Sequence, residues 1–204
     1  MEKVLTKDEC KNFHINMLMD ISNQMRSVIA DVYVFYTGTK SSTILEEIFP
    51  FCSLCRQEGV DIWDRMKNSI DKLFSKGYEK IILIGTDIPQ MSTSHVNRCF
   101  RNLEEYNLVI TPTYDEGYCL IGMDSTYLDV FDVDELCTQK KLSVLESTKT
   151  IAIDRGLRIH ETKPLLDLDE YNDLLTLLED RECKCSNTLN YIKKIVDKYS
   201  LLFI

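Results

Sequence analysis

Carboxylates are the residues of this sequence whose placement suggests chemistry. Asp87, Asp115, Glu116, Asp124, Asp167 and Asp169 all fall at or near the ends of segments that read as strands. Hard oxygen donors in such positions suit Mg2+ or Mn2+ bridging a pyrophosphate, where one or two protein carboxylates suffice. Asp87 has the clearest setting. It follows Ile81-Ile-Leu-Ile84, a short uninterrupted apolar run of the kind that a strand buried on both faces requires, and Gly85 closes that run. Pro89 removes a backbone donor and turns Ile88 away from helix, so the chain must change direction there. In open parallel sheets ligands collect beyond the carboxyl ends of the strands, which makes Asp87 a candidate site residue on position alone. Asp124 reads as a solvated loop acid.

Other chemistries find little support. There is no Walker sequence, no glycine-rich dinucleotide fingerprint and no HExxH pattern. Of the three histidines, His14, His95 and His160, none lies beside a nucleophile, and His14 is given no role. Eight cysteines include Cys52-Ser-Leu-Cys55, which has zinc-knuckle spacing, and Cys183-Lys-Cys185. No histidine is near either pair, so free thiols behaving as small hydrophobes are expected, not a zinc site or a disulfide framework.

The elements that must position the acids alternate between helix and strand. Thr6 to Glu9 is a capping-box pattern, and Phe13, Met17, Ile21, Met25 and Val28 then recur at helical spacing. Val32 to Tyr36 is a β-branched and aromatic strand. Ser41 to Phe49 reads as a short helix and Phe51 to Leu54 as a second strand. Asp61 caps a helix that ends at Lys76-Gly77, and Ile81 to Ile84 follows as a strand. Ser92 opens a helix running to about Glu105, before strands at Leu108 to Thr111 and Tyr118 to Met123. Ser125 to Leu142 shows no clear period. Helices at Ser143 to Arg155, Asp169 to Leu178 and Asn187 to Tyr199 complete the pattern, with a strand at Leu157 to His160. This alternation predicts an α/β three-layer sandwich with a mostly parallel sheet, as a single domain over residues 1–204.

With 204 residues, 44% hydrophobic and 28% charged, the chain is long enough for one well-packed domain. A formal net charge of -9 argues against a broad nucleic-acid footprint. No apolar run approaches the roughly 20 residues that span a bilayer, and the start lacks the apolar core of a signal peptide. A cytoplasmic location is expected.

Two strings carry a resemblance. Gly85-Thr86-Asp87-Ile88-Pro89, then Thr111-Pro-Thr-Tyr-Asp-Glu-Gly-Tyr-Cys-Leu-Ile-Gly122, resemble a family of bacterial glycosyltransferase-like proteins of the nucleotide-diphospho-sugar transferase (GT-A) fold, some of them associated with arsenosugar biosynthesis and related to guanylyltransferases. That family reads Gly-Ser/Thr-Asp-x-Pro, then Gly-Pro-x-x-Asp-Gly-Gly-Tyr-x-Leu-Ile-Gly. Asp61-Ile-Trp-Asp-Arg65-Met66, Gly156-Leu-Arg-Ile and Leu166-Asp-Leu-Asp169 are similar to further family segments. The resemblance implies a metal-dependent glycosyltransferase, or a related nucleotidyltransferase, using a nucleotide-diphosphate sugar donor and an unidentified acceptor. It implies that Asp87, with Asp167 or Asp169, holds Mg2+ or Mn2+. Arg65, Asp87, Gly117 and Tyr118 would bind the donor, and Asp115 or Glu116 would orient or deprotonate the acceptor. Three departures accompany it. The family's first strand and nucleotide-embracing loop are missing ahead of Met1-Glu-Lys-Val-Leu, so the chain reads as an N-terminally truncated member. Glu116 replaces a glycine, and Gln139 to Leu142 replaces a Trp-x-Thr-Asp segment. A catalytically degenerate relative serving as a binding or partner subunit is therefore the alternative. A homodimer or a partner chain is then expected to cover the missing strand.

Overall fold

Helix ends are set where the sequence places side-chain caps. The Thr6 hydroxyl accepts from the Glu9 amide while the Glu9 carboxylate accepts from the Thr6 amide, which opens α1 (Lys7–Met25). Phe13, Met17, Ile21 and Met25 are its buried face, as their spacing predicts. In this computed structural model, which describes residues 4–38, 43–180 and 183–200, β1 (Tyr33–Tyr36), α2 (Thr43–Ile48) and β2 (Ser53–Arg56) come next. Ser41 and Ser42, expected to begin the second helix, lie outside the described residues. Asp61 caps α3 (Ile62–Phe74), and Ser92 caps α4 (Thr93–Asn102), which follows β3 (Ile81–Ile84). The chain continues through β4 (Leu108–Pro112), β5 (Tyr118–Met123), α5 (Asp134–Gln139), α6 (Val144–Asp154), β6 (Ile159–Glu161), α7 (Tyr171–Glu179) and α8 (Ser186–Ser200).

The architecture is α/β with a mostly parallel sheet. Its four-stranded part has the order β3-β5-β4-β6, and β3, β4 and β6 point one way. Strand β5 runs against them. Only residues 113–117 join it to β4, too short a link for a parallel crossover. A separate parallel pair, β1-β2, lies beyond a break. The segment from Ser125 to Leu142, which shows no period, holds a 3-10 turn (Leu128–Phe131) and α5. Both are too short for a helical repeat to appear.

Apolar residues fill the layers on both sides. Leu18, Ile21 and Met25 of α1 and Val96 and Cys99 of α4 pack on one face, with Ile82 and Ile84 of β3 against them. Ile70 of α3 and Ala152 of α6 pack on the other face with Ile81 and Leu108. Cys99 and Cys119 are buried thiols, as expected. One cysteine expectation needs correction: Cys183 and Cys185 are joined by a disulfide. With one residue between them, the bond closes a local turn and does not build a framework. No helix among the described residues is long and apolar enough to cross a membrane.

Candidate functional site

Asp87 stands on a loop that the fold fixes at both ends. The Gly85 amide donates to the Cys119 carbonyl at 2.9 Å, extending the β3-β5 ladder by one bond. Ile88 and Met91 are fully buried and anchor the other end. Between them the Asp87 carboxylate folds back over Gly85. A Cβ at Gly85 would lie 2.6 Å from Asp87 Oδ1, a spacing that no side chain tolerates without moving the carboxylate. Gly85→Ala is therefore expected to leave the fold intact by circular dichroism while moving the Asp87 carboxylate, read as a shift of its carboxyl carbon resonance in NMR.

The late acids arrive by an extension of the sheet. Leu165 forms an isolated parallel bridge with Thr113, and its amide donates to the Pro112 carbonyl at 3.0 Å. The Leu168 amide donates to the Asp87 carbonyl at 3.3 Å, and Gln90 Nε2 donates to the Leu166 carbonyl at 2.5 Å. These bonds set Asp167 and Asp169 against the Asp87 loop. Asp169 immediately precedes the cap of α7, where Asp173 accepts from the amides of Asp169 and Glu170.

Asp115 comes from the β4-β5 turn. Its Oδ1 accepts from the Thr113 hydroxyl and, at 3.1 Å, from the Gly117 amide, a tight local loop that fixes the carboxylate. A Cβ at Gly117 would meet Thr113 Oγ1 at 3.0 Å and Asp115 Oδ1 at 3.2 Å, so the small residue is needed there.

Asp115, Asp167 and Asp169 thus converge, each offering a carboxylate oxygen within 4.8 Å of the others'. They form the one such group of three His, Cys, Asp or Glu side chains among the described residues. Asp87 is their electrostatic neighbour. Burial raises its carboxyl above the ordinary range, and the charges of Asp169 and Asp115 push the same way, against the pull of His14. Burial, reinforced by Asp115, Asp169 and Asp87, raises Asp167 to about 6. Crowded carboxylates with a raised affinity for protons are a setting that a cation relieves.

The remaining candidates are more dispersed. Tyr118 begins β5 with its phenol pushed up to about 12 by burial. Arg65 lies on α3, where Nε donates to the Gly59 carbonyl at 3.3 Å and braces the β2-α3 loop. Glu116 is exposed at φ 68°, outside the three-acid group, and its carbonyl accepts from the Leu145 amide at 3.1 Å. Asp124 accepts from Asn107 at 3.2 Å, which ties two strand ends together. His14 was missed by spacing alone. It lies exposed on α1 within electrostatic range of Asp87, where partial desolvation holds its imidazole below the ordinary value and Asp87 opposes that. Its place one residue from the buried Phe13 was the available signal.

Comparisons with known proteins accord with this arrangement. A protein from Desulfovibrio desulfuricans G20, assigned as a nucleotide-diphospho-sugar transferase, superposes with a TM-score of 0.84 at 23% identity, covering 97% of this chain and 89% of that one. A cytidylyltransferase from Leptospira borgpetersenii superposes with a TM-score of 0.54 at 13% identity, covering 90% and 84%. These likenesses show the nucleotide-diphospho-sugar transferase fold. A 2-phospho-L-lactate guanylyltransferase from Methanocaldococcus infernus is 25% identical over 129 residues, 63% of this chain and 56% of that protein. The chain therefore spans little more than half the length of that relative. Residues 21–136 match the family described as "Uncharacterized protein conserved in bacteria (DUF2064)", and with more than half of its length matched the chain belongs to that family.

Proposed function

We propose that the protein is a metal-dependent transferase acting on a nucleotide-diphosphate donor, as a glycosyltransferase or a related nucleotidyltransferase. The convergence of Asp115, Asp167 and Asp169 within 4.8 Å, beside Asp87, carries this reading. The donor set fits Mg2+ or Mn2+. Oxygens that ligate Mg2+ at 2.0–2.1 Å lie about 3 Å apart at right angles and about 4 Å apart across the ion. Small side-chain adjustments bring three carboxylates at the observed spacing into that range. When bound, the ion would neutralise charge on the donor's diphosphate.

The chain's own residues have separable roles in this reading. Asp167 and Asp169 hold the cation from the late segment, with Asp87 beside them. Asp115, held through Oδ1, offers a carboxylate oxygen to the same group. Asp115 or Glu116 would orient or deprotonate the acceptor, and Asp115 can also join the ligand set. Gly117 and Tyr118 line a cavity that reaches Asp87, from which they would contact the donor. The alternative, a binding or partner subunit without catalysis, is favoured by Glu116, an acid at φ 68° where the resembled family has glycine. Titration calorimetry with UDP- and GDP-sugars in Mn2+ separates the two. Saturable binding that weakens at least tenfold in Asp87→Ala supports the transferase. No heat at millimolar nucleotide sinks it.

A further inference from the structure

His95 is buried in the first turn of α4, 8% exposed, and has no part in the chemistry proposed above. Both of its ring nitrogens are nevertheless engaged. Nε2 meets Thr111 Oγ1 at 2.8 Å, and Nδ1 meets an Arg98 guanidinium nitrogen at 3.2 Å. A guanidinium only donates, so Nδ1 is the acceptor, and the ring is neutral with its proton on Nε2. Burial and the Arg98 charge both hold the imidazole below its ordinary value, which agrees with a neutral ring.

The Nε2 proton is therefore donated to Thr111, a fully buried hydroxyl on β4. The same oxygen accepts from the Thr162 hydroxyl at 2.9 Å, closer than that hydroxyl's alternative acceptor, the Lys163 carbonyl at 3.3 Å. Its two lone pairs take both bonds. Thr162 follows β6 directly, and its amide donates to the Ile110 carbonyl at 2.9 Å. Helix α4, strand β4 and the chain leaving β6 are thus clasped at one point. Beyond the fixed φ of Pro164, Leu165 bridges to Thr113. Asp167 and Asp169 then flank Leu168, whose amide reaches the Asp87 carbonyl. Apolar contacts alone let a short segment slide along its neighbour, whereas directional bonds to a buried partner fix one arrangement.

We propose that His95 is a positioning residue for the acid group. As the Nε2–H tautomer it sets, through Thr111 and Thr162, the register in which residues 162–169 run beside β4, and so where Asp167 and Asp169 meet Asp115. The consequence for a bound cation rests on the metal-dependent reading above; the register itself does not.

Long-range proton–nitrogen spectra of the whole protein at pH 7.5 should show the His95 ring neutral, with its proton on Nε2. In His95→Phe, amide exchange at Leu165 and Leu168 should quicken about fivefold or more, the worth of one hydrogen bond, while the amides of β5 keep their rates. Thr162→Val removes the other end of the clasp and should give the same pattern. His95→Gln, whose Nε2 can donate to Thr111, should restore the slow rates. Mn2+ affinity should follow, falling about tenfold in His95→Phe and Thr162→Val and recovering in His95→Gln. A ring proton on Nδ1, a charged ring, unchanged exchange in both variants, or equal quickening across β5 would overturn the proposal. So would an Mn2+ affinity that stays constant while Leu165 and Leu168 quicken. Wild-type protein that binds no Mn2+, in company with the expected exchange pattern, would sink the cation reading and support the register set by His95.

Discussion

Replacing Asp20 with alanine is expected to cost about 3 kcal/mol, seen as a fall in melting temperature of roughly 6–12 °C for a chain of this size. Asp20 is 3% exposed on α1, yet it is fully engaged. One oxygen accepts from the Asn187 amide at 3.1 Å and from Asn187 Nδ2 at 2.8 Å, and the other accepts from the Thr188 amide at 2.7 Å. It therefore caps the first turn of α8 from a neighbouring helix, with a charge of the sign that an N-terminus favours. Alanine leaves two buried amides without partners and loosens the α1-α8 contact. Asp20→Asn keeps one acceptor but turns an amide group toward the other donors, so roughly half the loss is expected. An unchanged melting curve for Asp20→Ala would show that water replaces the carboxylate.

The second large effect concerns the acid group. Mn2+ at about a hundred times its dissociation constant is expected to stabilise the protein by about 2.7 kcal/mol at pH 7.5. That gain should shrink below pH 6, with affinity falling about tenfold per pH unit, because Asp167 then keeps its proton. The metal-free protein should respond in the opposite sense. The unfolded chain releases this proton near the ordinary value of 3.8 and the folded chain holds it to about 6, so the folded state binds more protons between the two. Metal-free stability therefore falls as pH rises through that window and is recovered on acidification. Asp167 is not deeply enclosed, and screening by solvent limits the change to about 1–2 kcal/mol. Asp167→Asn should flatten this dependence, stabilise the metal-free protein above pH 6 and weaken Mn2+ binding. Such an exchange of stability for function is expected where like charges are held together. A pH-independent Mn2+ shift would count against Asp167 as a ligand.

Local rules account for much of what was legible. Thr6, Asp61 and Ser92 cap helices at the positions read from their spacing, since a cap is an interaction over three residues. The run Ile81 to Ile84 is a strand with the bounds its composition suggests. Strand direction was less accessible. β5 runs antiparallel because a five-residue turn requires it, and the turn depends on Glu116 adopting a positive φ that its type does not announce. The 3-10 turn and α5 escaped because four and six residues hold too few turns for a helical repeat to show.

The site divides along the same line. The sequence by itself determined that acids would stand at strand ends, that Gly85 and Pro89 would shape the loop bearing Asp87, and which family motif they make. Such features follow from backbone geometry over a few residues. Tertiary structure alone decided that Asp115, Asp167 and Asp169 meet. They are 52 and 54 positions apart in the chain (115 to 167 and 115 to 169) and are joined by the Thr113–Leu165 bridge and the Leu168–Asp87 bond. It alone brought His14 within electrostatic range of Asp87, set Arg65 on the Gly59 carbonyl, and divided β1 and β3 between two sheets. The physical reason is common to all of these. Charge proximity, and the energy of an unpaired strand edge, depend on distance through space, and spacing along the chain does not encode that distance.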